Sequence, residues 1–198
     1  MSSPPPIPPQ LTTENLQQLQ SARTAMKKIR RAILSARLEG YSIAIFGVIS
    51  LVFSLGNIPS MLVSAILTAI GIIEITGAAK LARLDITAIR LLTINQLTLA
   101  AFIFLYALWN IYGEVAHPDA DLAGMTPSEI QAMNQTGVSA VVDIGHQIMI
   151  LVYSGLIIAA LIEAAMAYYY HTRGEHLRQF LAQTPDWIVS MQRAGVSI

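Results

Sequence analysis

Four apolar runs, at 38–55, 61–79, 91–112 and 148–170, set the terms for this chain. Each approaches or exceeds the roughly 20 helical residues needed to cross a hydrocarbon core. Four of them in 198 residues leave too little polar chain to shield them from water. With 54% hydrophobic and only 12% charged residues, the sequence reads as an all-α integral membrane protein, a four-helix transmembrane bundle.

The basic residues orient it. Arg23, Lys27, Lys28, Arg30, Arg31 and Arg37 precede the first run, Lys80, Arg83 and Arg90 lie between the second and third, and Arg173, Arg178 and Arg193 follow the fourth. The turn 56–60 is uncharged, and the loop 113–146 carries Glu114, Asp119, Asp121, Glu129 and Asp143 without any Lys or Arg. The positive-inside rule then places both termini in the cytoplasm and the acidic loop outside, with a bacterial inner membrane as the simplest host. No cleavable signal precedes the first run, so that run is expected to act as an uncleaved anchor.

Residues 1–11 are proline-rich and are expected to be disordered, with a PxxP ligand as the functional alternative. A basic amphipathic helix is expected over 12–37, capped by Thr12 or Thr13 with Glu14 in its first turn. Leu16, Leu19, Ala22, Met26, Ile29 and Ile33 recur at helical spacing beside Lys27, Lys28, Arg30 and Arg31. Such a helix can lie on anionic lipid headgroups or pair with its copy in another subunit, and the short stripe favours the lipid surface. The first run sets Gly40, Ala44, Gly47, Ser50 and Ser54 near one face, and the brief turn after it makes the first two runs an antiparallel hairpin. Tyr106, Trp109 and Tyr112 close the third run as an outer aromatic anchor.

In the loop, Thr126-Pro127-Ser128-Glu129 is a capping box that should start a short helix burying Ile130 and Met133. The stretch His117 to Asp121 has metal-ligating residue types but too few fixed ligands, and Asn134-Gln135-Thr136 is a glycosylation sequon that matters only in a secretory membrane. Gly155, Ala159, Ala160, Ala164 and Ala167 give the fourth run a small-residue face for tight packing. The tail 171–198 is expected to form two short amphipathic helices, the first carrying Leu177, Phe180 and Leu181 and the second opening at Thr184-Pro185-Asp186.

Two carboxylates lie deep inside the apolar runs. Counting about 1.5 Å per residue from each run's midpoint puts Glu74 and Glu163 roughly 6 Å toward the basic side, Asn95 and Gln96 about 8 to 9 Å, and Tyr41 about 9 Å. Arg37 and Arg90 open their runs close by and can bend toward this layer. A carboxylate at such depth costs a few kcal/mol unless it is protonated or meets a donor, so the layer is expected to face the bundle interior. It can fix helix register, form part of a proton or cation path, or receive a second membrane protein. An internal duplication would align Glu74 with Glu163 and Arg37 with Arg90, as two hairpins of one topology.

Catalysis finds no support. Cysteine is absent, which removes disulfides, thiol chemistry and Cys-ligated metals, and no P-loop, HExxH or GxSxG occurs. His117, His146, His171 and His176 are scattered over both sides. No catalytic residue, metal or cofactor is therefore expected, and a net charge of zero leaves no nucleic-acid footprint. The expected role is a non-enzymatic scaffold, accessory subunit or self-associating bundle, partnered by lipid and by its own copy or another membrane protein. A channel or transporter component using Glu74 and Glu163 is the alternative.

Overall fold

A computed structural model of the protein describes residues 12–116, 125–136 and 138–195; the proline-rich tail and the stretch His117 to Asp121 fall outside them. Six helices follow in order: α1 (Thr13–Phe53), α2 (Ile58–Ala82), α3 (Thr87–Ala116), α4 (Pro127–Gln135), α5 (Val138–Gln183) and α6 (Asp186–Arg193), with no strand among the described residues. Helices α1, α2, α3 and α5 are each long and apolar enough to cross a membrane.

Local chemistry explains the helix ends. Thr12 Oγ1 accepts from the Asn15 amide at 3.2 Å, with Glu14 in the first turn of α1. The α1–α2 turn passes through Gly56 at φ +95°, a left-handed position that glycine takes without steric cost. Asn57 Oδ1 then caps α2 by accepting from the Ser60 amide at 3.1 Å. Helix α4 begins at Pro127, where the capping box places it, and Met133 is half-buried.

Two expected boundaries are absent. Helix α1 runs unbroken for 41 residues through position 38, and α5 runs unbroken for 46 residues through the tail's expected first helix. Neither contains proline, and an internal glycine costs about 1 kcal/mol, too little to end a helix held by packing. Only Thr184-Pro185 stops α5, after which α6 stands as the second tail helix.

The chain divides into two compact units, Met1–Asn95 with Tyr168–Ile198, and Gln96–Ala167. In the first, α1 and α2 form a close hairpin. A Cβ on Gly47 would fall 2.5 Å from Thr68 Oγ1, and one on Gly71 would fall 2.5 Å from the Ala44 backbone nitrogen. Ser54 and Ser64 hydroxyls meet at 3.3 Å near the turn. Small and polar residues fill this seam, among them Gly40, Gly47, Ser64, Gly71 and Ala78, whereas Phe46, Val52, Leu62 and Ile72 are exposed. That is the reverse of a water-soluble core and suits a lipid surround.

The amphipathic stripe of α1 is covered within the same unit. Ala22, Met26, Ile29, Ala32, Ile33 and Ala36 are buried, while Leu16 stays exposed. The last turns of α5 lie alongside. Lys28 Nζ sits 3.2 Å from His176 Nε2, and Ala22 lines a cleft with Phe180. Leu177 and Phe180 of α5 and Ile188 and Val189 of α6 are buried as well.

Between α2 and α3, Leu84 takes φ +59° and donates its amide to Leu81, while the Asp85 amide reaches Lys80. This is a Schellman stop with leucine where glycine is usual.

In the second unit, Tyr106 of α3 and Tyr153 of α5 meet edge to face at 6.1 Å, and Glu114 lies 3.6 Å from His146. A Cβ on Gly155 would meet nothing within 4 Å, so the tight packing expected around it does not occur at that residue.

Candidate functional site

The first unit holds a buried polar cluster to which α1, α2, α3 and α5 each contribute. Glu74 of α2 has no exposed surface, and its Oε2 accepts from Asn95 Nδ2 of α3 at 2.6 Å. The same nitrogen donates to the Ile70 carbonyl at 3.1 Å, so both amide hydrogens are spent on α2, one turn apart. On α5, Tyr170 is fully buried and its hydroxyl donates to Glu39 Oε2 of α1 at 3.3 Å. Ser35 of α1 also lies near the Tyr170 hydroxyl, and both Glu39 and Glu74 lie within electrostatic reach of its phenol oxygen.

Sequence positions explain how these groups converge. Gly40 of α1 packs on α2 so closely that a Cβ there would lie 3.0 Å from Glu74 Cβ, which brings the backbone beside Glu39 up to the carboxylate. Gly77, one turn beyond Glu74, leaves room for the Leu92 side chain, 2.6 Å from where a Cβ would stand, and this sets α3 against α2 with Asn95 in register. The cluster combines carboxylates with amide, hydroxyl and phenol groups, a set suited to hydrogen bonding between helices.

The residues expected in the layer differ in burial. Glu74 and Asn95 are joined directly. Tyr41 is 53% exposed and points away from the seam. Its place on α1 is taken by Glu39, one turn beyond buried Ala36 and thus on the packed face. Arg37 and Arg90 are exposed. Gln96 and Glu163 belong to the second unit, the first buried and the second half-buried. Tyr170 is a core residue with its ring edge to face with Tyr169 at 5.7 Å. Of the basic group on α1, Lys27, Lys28, Arg30 and Arg31 are all exposed, and Lys28 meets His176.

Among the described residues, no three His, Cys, Asp or Glu side chains are grouped to hold a metal ion. Fold and composition define an all-α protein with four helices fit to cross a membrane. Comparison with protein-family models, with curated proteins and with solved structures gives no match.

Proposed function

We propose that this chain is a non-enzymatic, multi-pass membrane scaffold or accessory subunit whose helices are pinned by the buried polar cluster. The observation that carries this reading is the pair of bonds from Asn95 to Glu74 and to the Ile70 carbonyl. A side chain that spends both donors on a neighbouring helix fixes depth and rotation, and a transported proton or cation would have to displace it. Interhelical bonds of this kind are worth about 0.5 to 2 kcal/mol each in membranes.

The distribution of Lys and Arg supports cytoplasmic termini and an acidic outer loop, and a bacterial inner membrane is the simplest host for that arrangement. On that reading the continuous α1 projects from the membrane, and Lys27, Lys28, Arg30 and Arg31 stand roughly 10 to 17 Å below residue 38. Separations of this order are one to two Debye lengths, so these residues would attract anionic headgroups without lying among them. The exposed apolar surface is offered to lipid, to a second copy or to another membrane protein.

The test sets this reading against a proton or cation path through Glu74 and Glu163. Purified protein in vesicles is expected to carry no proton or cation flux above empty vesicles, and Glu74→Gln is expected to lower thermal stability in detergent. Flux that appears with the wild type and vanishes in a still stable Glu74→Gln variant would replace the scaffold reading. Orientation is read in cells from Gln17→Cys and Gln131→Cys in this cysteine-free chain: an impermeant maleimide should label only the second, and labelling of the first would reverse the topology.

A further inference from the structure

One cleft outside the polar cluster joins positive charge to an apolar wall. It encloses about 580 Å³ between the start of α3 and the last third of α5, within the first unit. Arg90 stands on one side and His171 and Arg178 on the other. Arg90 makes no ion pair among the described residues, and the Arg178 contact with Glu175 is 3.7 Å long between side chains about two-thirds exposed. Such an exchange is weak and leaves Arg178 able to turn to a better acceptor. Two arginines against one carboxylate keep the cleft positive.

The other wall is made for hydrocarbon. Ile94, one turn beyond Arg90, is 51% exposed, and Ile86 is also exposed. Beneath them Gly174 allows α5 to close on α3, with Ile89 Cγ2 only 3.3 Å from where a Cβ would stand. Thr93 also lines the cleft, and its Oγ1 is buried with no hydrogen-bond partner, an O–H left over for an added acceptor. Arg90 immediately precedes the third apolar run and His171 immediately follows the fourth, so the cleft lies at one level of the chain, where lipid headgroups meet hydrocarbon.

We infer that this cleft binds one anionic phospholipid, its phosphate held by Arg90 and Arg178 and an acyl chain laid along Ile94. Arginine suits the phosphate because its planar fork can bond two oxygens at once. The apolar wall selects a lipid over a soluble anion, which would gain nothing from Ile86 and Ile94. The site rests on the membrane reading of the four long helices and is independent of what the polar cluster does.

The experiment uses the full chain in neutral detergent, titrated with dioleoylphosphatidylglycerol, dioleoylphosphatidylcholine or inorganic phosphate. Retained lipid is counted by native mass spectrometry and the shift in Tm is followed in parallel. Phosphatidylglycerol should be retained in preference to phosphatidylcholine and should raise Tm, and phosphate alone should not. The Arg90→Gln/Arg178→Gln double variant should bind phosphatidylglycerol about 10- to 30-fold more weakly, the loss expected for two arginines at a headgroup. Arg23→Gln/Arg83→Gln, with both exposed residues elsewhere, should stay within about twofold of wild type. Arg178→Gln alone changes a surface side chain, so folding is not at risk, and should still lose about fivefold. Unchanged affinity in these cleft variants would overturn the site, and an equal Tm rise with inorganic phosphate would reassign it to a soluble anion.

Discussion

Asn95 and Asp85 show how single side chains fix this molecule, one in its interior and one at a turn. Asn95 was recognisable from its depth in an apolar run, because an amide there must find a partner and Glu74 stands at nearly the same level on the neighbouring helix. Asp85 accepts at Oδ1 from the Thr87 amide at 2.9 Å and from its hydroxyl at 2.8 Å. These bonds, the hydroxyl first, hold its carboxyl below the ordinary carboxylate range, with smaller help from Lys80 and Arg193 against a modest desolvation. A lowered folded-state pKa contributes stability above the unfolded value and loses it as pH falls through the folded one. Stability in detergent should therefore decline below about pH 4 in wild type, and Asp85→Ala should lose about 0.5 to 2 kcal/mol at neutral pH with a flatter acid limb. An acid limb identical in the two proteins would show that the cap contributes nothing. Leu84 beside it could not be read from sequence. A left-handed leucine costs roughly 1 to 2 kcal/mol, and burying its side chain recovers about 1.5 to 3, a balance visible only once the turn is packed.

At the scale of elements, the α1–α2 hairpin depends on missing side chains. A Cβ on Gly71 would strike the Ala44 backbone, and one on Gly47 would strike Thr68, so neither helix can yield by turning a rotamer alone. Gly71→Ala and Gly47→Ala should each cost about 1 to 3 kcal/mol in unfolding measurements, whereas Gly113→Ala, with nothing within 4 Å, should be neutral or slightly stabilising. A Gly71→Ala variant as stable as Gly113→Ala would mean the helices do not approach so closely. Hydropathy located the four helices long and apolar enough to cross a membrane, because it reads their apolar length directly. It could not see that α1 and α5 continue far past their apolar runs, since polar residues with good helix propensity extend a helix as readily as apolar ones. The same blindness put Tyr41 in the polar layer. Depth along the run does not separate Tyr41 from Glu39; helix face does, and the buried positions Ala32, Ala36 and Gly40 select Glu39.

Across the whole molecule, four helices suited to a bilayer each lend a polar side chain to one cluster: Glu39 from α1, Glu74 from α2, Asn95 from α3 and Tyr170 from α5. Lipid gives helices no hydrophobic reason to associate, so small-residue seams and hydrogen bonds have to supply the cohesion and the register. Glu163 and Gln96, also expected in this layer, belong to the other compact unit. A structural cluster and a conduction path make opposite demands on the Asn95–Glu74 bond: the first needs it kept, the second needs it exchanged. Unfolding of the full chain in detergent, compared for Asn95→Leu, Glu74→Leu and the double variant, measures that bond directly. Each single change should destabilise by about 1 to 3 kcal/mol, because it strands a buried partner, and the double variant should cost less than their sum by about 1 kcal/mol or more. Single changes that leave stability untouched, or losses that add within about 0.5 kcal/mol, would contradict a cluster that pins the helices together.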